Sequence, residues 1–95
     1  MKQIREKLKQ IKHPNIDLDI VQLGMIGEIT ERDGDMTILL RVPFRRIPIK
    51  RAIIRNIKVI LNNKDVKVRT CLMNKEQKAR FFELAGENWI PYNSQ

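Results

Sequence analysis

A chain of 95 residues, 42% hydrophobic and with a single cysteine, has room for one core and cannot brace it with an internal disulfide or a closed structural zinc site. Apolar runs such as Ile38 to Leu40 fall far short of the roughly 20 residues of a membrane-spanning helix, and the opening MKQIREKLKQIK lacks the apolar stretch and cleavage site of a secretory leader, so the expected location is the cytoplasm. The net charge of +8 is unevenly placed: residues 1–12 carry five bases and one acid, residues 13–40 one base and six acids, and residues 41–58 seven bases and no acid.

Ile4, Leu8 and Ile11 recur at helical spacing, and Pro14 ends the pattern, which predicts a first helix reaching about Lys12. Ile20 to Thr30 has strand character. The turn Arg32-Asp33-Gly34-Asp35 leads into a second strand whose Met36, Ile38, Leu40 and Val42 share a face, so the pair forms a hairpin. From Pro48 to Leu61 the residues Ile49, Ala52, Ile53, Ile57, Ile60 and Leu61 make an apolar stripe, with Pro48 suited to a first helical turn. Asn62 and Asn63 break this second helix, and Val66, Val68, Thr70 and Leu72 alternate with Lys67, Arg69 and Cys71 as a third strand, which turns Cys71 away from the core. Asn74 and Gln77 have the spacing of a capping box at the start of a third helix, in which Phe81, Phe82 and Ala85 face inward. Gly86 is suited to cap its end, which leaves a tail from Glu87 to Gln95 containing Trp89, Pro91 and Tyr92.

The expected fold is α+β, an α/β sandwich: a single small domain over residues 1–95, with its core at about 4–86 and a tail at 87–95. The order is α-β-β-α-β-α. The helix joining the second and third strands requires a right-handed crossover, so the three-stranded sheet is mixed, with helices covering one face.

Catalytic signatures are missing: the sequence contains no phosphate-binding glycine loop, dinucleotide fingerprint, HExxH or CxxC pair. No catalytic residue and no metal ligand set is assigned, no cofactor is implied by the residues, and a non-enzymatic role is expected. His13, the one histidine, precedes Pro14 at a helix end, where a structural role is expected. Asp17, Asp19, Glu28, Glu31, Asp33 and Asp35 lack the ligand spacing of a calcium loop and are expected to be solvated. Cys71, on the outward side of a strand that also carries Lys67 and Arg69, is the candidate reactive thiol, with an inert edge thiol as the plainer reading.

The basic stretch carries more. Arg45 and Arg46 stand just before the second helix, where the helix dipole already favours an anion. Arg51, Arg55 and Lys58 then follow at i, i+4 and i+7, on a face distinct from the isoleucine stripe. With Lys50 these residues make a candidate anion or partner site. Nothing resembling a helix-turn-helix, a zinc-finger ligand set or an aromatic-bearing strand pair is present to read bases.

The strings Ile11-Lys12-His13-Pro14-Asn15 and Asp19-Ile20-Val21-Gln22-Leu23-Gly24-Met25-Ile26 resemble the iron-sulfur cluster assembly accessory family, which includes the amino-terminal domain of Mrp/ApbC-type carriers and the SufT and PaaD proteins. The resemblance runs from about residue 4 to 85, and Leu72 to Gln77 is similar to the strand exit and last helix of the Mrp type. Two departures stand out. The family's Asp-Pro-Glu is here His13-Pro14-Asn15, and the family's cysteine before a proline falls on Ile47, followed by Pro48. Isoleucine cannot bind iron or zinc, so the resemblance carries no cluster ligation to this position.

Together the residues and the resemblance imply an accessory domain that docks on an acidic protein surface, such as an iron-sulfur assembly component or a P-loop ATPase, without ligating a cluster itself. The alternative is a nucleic-acid-binding module that uses the same helix against phosphates without reading sequence. Cluster carriage through Cys71 ranks last, since it needs a dimer and ligands the sequence does not supply. The oligomeric state is left open.

Overall fold

The computed structural model describes residues 2–47, 49–63 and 65–89. Its elements are α1 (Lys2–Leu8), β1 (Ile26–Arg32), β2 (Asp35–Val42), α2 (Lys50–Ile60), β3 (Lys67–Leu72) and α3 (Lys75–Glu87). The strands form one sheet in the order β1-β2-β3, with β1 antiparallel and β3 parallel to β2. The mixed sheet and the α-β-β-α-β-α order are as the sequence predicts.

One face of the sheet carries the core. Ile38, Leu40 and Val42 of β2 are buried, while the alternate residues Thr37, Leu39 and Arg41 are only partly covered on the opposite face. Ile53 and Ile57 of α2, Leu8 of α1 and Phe81 and Ala85 of α3 belong to the same buried cluster. In β1 both Ile26 and Ile29 are buried although they stand three apart, because the register with β2 shifts between them and the irregularity restores the inward direction.

Several boundaries differ from the sequence reading. The first helix ends at Leu8 rather than about Lys12: the chain tightens, Ile11 N–H donates to Leu8 C=O at 3.1 Å, and Lys12 bridges to Asp19. Residues 20–25, expected to begin the first strand, instead form a single turn. Asp19 and Gln22 cap it reciprocally, each side chain accepting the other's backbone N–H at 2.8 and 3.1 Å, and Gly24 leaves it at φ +75°. This turn buries Ile20, Leu23 and Met25, so the connector supplies core as the regular elements do.

On α2 Ala52 is exposed; Ile54, on the opposite flank of the stripe, is the residue long enough to reach the core. Leu72 faces the core side but remains 49% exposed, since β3 is an edge strand. Asn74 and Gln77 make both bonds of the capping box, at 2.7 and 2.9 Å. Gly86, however, lies inside α3, and Asn88 is the cap, its side-chain amide donating to Leu84 C=O at 3.0 Å. Phe82 does not point inward but is 44% exposed. Of the tail, Glu87 is helical and Trp89 bridges to Ile16; Pro91 and Tyr92 lie outside the described residues, as does Pro48.

Candidate partner-binding site

The loop that leaves β2 and enters α2 gathers the predicted cations. Arg45, Arg46, Lys50 and Arg51 surround one open concavity with Ile47 among them, so four positive charges from two turns of chain converge on the residue at the family's cysteine position. The convergence follows from local structure. Lys50 N–H donates to Ile47 C=O at 3.1 Å, closing the loop onto the helix start, and this brings Arg45 and Arg46 beside the first turn.

Ile49, at the cap position of α2, supplies no side-chain acceptor, and the first turn holds no carboxylate. The positive end of the helix dipole therefore adds to the arginines instead of being offset. Arg55 and Lys58 border a second concavity further along α2, with Val59, Asn62 and Asn63. The ion pairs among the described residues are Lys9 with Glu6 and Lys12 with Asp17, each at 3.1 Å, and neither involves this group. Arg41, which opens the basic run in sequence, leaves the group: it sits on the far face of the sheet opposite Cys71.

The remaining candidates are dispersed. His13 is buried, and its Nδ1 accepts the Asn15 backbone N–H at 3.0 Å, with burial lowering its pKa from the usual 6.5. Cys71, half-buried, lies on the open sheet face beside Glu28, Thr30, Leu39 and Arg69. The single thiol and the single imidazole thus occupy different faces and do not meet. Asp17 pairs with Lys12, Asp19 caps the connector turn, and Glu31, Asp33 and Asp35 rim the far hairpin end. Among the described residues no three histidine, cysteine or carboxylate side chains come together in a metal-binding group.

A second feature adjoins the cationic concavity. Phe44, Phe82 and Trp89 rim an apolar groove of about 350 Å³ against Ile47, with buried His13 and Phe81 beneath. Phe44 is an aromatic residue in a loop, and no periodicity marks it; its place next to Arg45 and Arg46 is the one available signal.

The model of the family described as "Iron-sulfur cluster assembly protein" matches residues 1–70. The chain belongs to this iron-sulfur cluster assembly family. Its fold agrees with a crystal structure titled as a domain of unknown function, DUF59, from Bacillus anthracis, at a TM-score of 0.72 and 19% identity over 90% of each chain. Among curated proteins none matches. Within this family, then, the chain presents Ile47 in a ring of cations. Among the described residues, the Cys71 thiol is on the other side of the sheet from Ile47, and His13, which lines the groove with Ile47, has its Nδ1 engaged by the Asn15 N–H.

Proposed function

We propose that the chain is a non-enzymatic accessory domain of iron-sulfur cluster assembly that docks on an acidic protein surface through Arg45, Arg46, Lys50 and Arg51, with Arg55 and Lys58 extending the contact. The cluster is cargo held by others, and this domain does not ligate it. The observation that carries the reading is the convergence of four cations around Ile47 with no carboxylate on the loop or the first turn of α2. Planar guanidinium groups suit paired contacts with carboxylates, and charges with no ion pair among the described residues are available to a partner.

The partner is an acidic face of an assembly component, a P-loop ATPase being one such, as the Mrp-type resemblance suggests. A lone cysteine is consistent with a reducing compartment, and we place the domain in the cytoplasm.

The test is a pull-down from native cytosol with wild type and Arg45→Glu/Arg46→Glu, each with and without nuclease. A nuclease-resistant protein band that disappears in the variant is the expected result. Capture of nucleic acid alone, or capture abolished by nuclease, would mean that the same helix serves phosphates instead.

A further inference from the structure

Ile47 belongs to two concavities at once. On one side it meets Arg45, Arg46, Lys50 and Arg51; on the other it lines the apolar groove. The groove's rim is aromatic and accessible: Phe44 is 50%, Phe82 44% and Trp89 55% exposed. Phe82 packs on both Phe44 and Phe81 with ring centroids 5.6 Å apart, and Lys78 Nζ stands 5.0 Å over the Phe44 ring, so cations flank the groove from α3 as well. Aromatic anchors beside a charged rim are the make-up of binding hot spots, and single exposed apolar residues do not cluster in this way by chance packing.

We propose that the groove and the cationic concavity form one composite site for a short segment of a partner protein in which apolar side chains stand beside carboxylates. The inference rests on the docking reading above and names what that partner must present. Charge complementarity selects the occupant. Cations on both the loop and α3 exclude a purely apolar segment as the best fit, and the groove between them excludes a purely acidic one. Single-stranded nucleic acid also combines phosphates with stacking, but it needs flat platforms. Here the exposed rings of Phe44 and Phe82 are tilted by 44° to one another along the rim of a groove and do not make a flat platform.

Trp89 is the only tryptophan and sits on the rim, so its emission reports occupancy. Three synthetic peptides are titrated: one with a leucine pair flanked by aspartates, one with serines for the leucines, one with asparagines for the aspartates. The first is expected to blue-shift Trp89 emission and to bind at least about tenfold more tightly than either control. Phe44→Ser/Phe82→Ser, at two exposed positions, should lower the first peptide to the level of the serine control while leaving that control unchanged. If leucine and serine peptides bind alike with Trp89 emission unmoved, charge docking stands and the composite site is overturned. If no peptide binds while a single-stranded RNA oligomer does, the docking reading falls with it. An emission shift that follows protein concentration alone, with a dimer in sedimentation, assigns the groove to a second copy and likewise overturns the proposal.

Discussion

The Nδ1 of His13 accepts the backbone N–H of Asn15 at 3.0 Å, bridging Pro14 and locking the turn that brings Ile16 back into the core. That acceptor exists only on the neutral ring, which then carries its proton on Nε2. Desolvation by burial lowers the His13 pKa from 6.5, so the folded state disfavours the imidazolium. Above that value both folded and unfolded chains hold a neutral ring and the contribution is complete. As pH falls below it the unfolded chain takes up a proton that the folded one resists, and stability declines. Denaturation midpoints measured at about pH 7.5 and about pH 5.5 should fall more in wild type than in His13→Gln, which has no proton to gain. Equal declines in the two proteins would show that His13 does not set the acid limit.

The connector turn is a second point of sensitivity. Gly24 adopts φ +75° with open space where a Cβ would project, so a side chain there meets backbone strain and no clash. Gly24→Ala should cost about 1–2 kcal/mol in chemical denaturation, and Asp19→Ala, which removes the cap at the other end of the turn, about 1 kcal/mol.

By contrast, the core should respond to volume. Ile53 is 1% exposed between α2 and the sheet, and Ile53→Ala should destabilise by about 2–5 kcal/mol. Arg45→Glu/Arg46→Glu alters exposed side chains that form no ion pair among the described residues and should stay within about 0.5 kcal/mol of wild type. A binding defect in that variant is then read as a defect of the surface.

The cationic ring can be probed with the family's own side chain. Ile47→Cys, made together with Cys71→Ser, places a thiol among Arg45, Arg46, Lys50 and Arg51. Positive neighbours favour a thiolate, so its reaction with a thiol reagent should reach half-maximum below the usual pKa of about 8.5. Cys71→Ser alone should leave partner capture unchanged, because Cys71 lies on the opposite face of the sheet. Loss of capture in that variant would return Cys71 to the function.

Much of this architecture is legible in residue order. The alternation Met36-Ile38-Leu40-Val42, the Asn74 and Gln77 box and the isoleucine stripe of α2 are short-range patterns, and each forms the element it predicts. The DIVQLGMI string and the element order identify the family. The errors lie where a local pattern has two solutions. Ile20 to Met25 is apolar enough for a strand, but Asp19, Gln22 and Gly24 carry the start and stop of a helical turn, and those signals prevail.

Phe82 fits a helical stripe by spacing, and only the third dimension places it and Trp89, at the end of the same helix, on the rim with the distant Phe44. The apolar half of the site was therefore invisible in the sequence, whereas the cationic half, being contiguous from Arg45 to Arg51, could be read directly.

In the proposed function the cations around Ile47 serve a protein and not nucleic acid, which is measured as the affinity of the nuclease-resistant captured protein for wild type and for Arg45→Glu/Arg46→Glu, with a random-sequence duplex as competitor. Binding at least about tenfold weaker in the variant and little displacement by the duplex are the expected results. A duplex that displaces the protein, with a steep and sequence-independent salt dependence of its own, would contradict it.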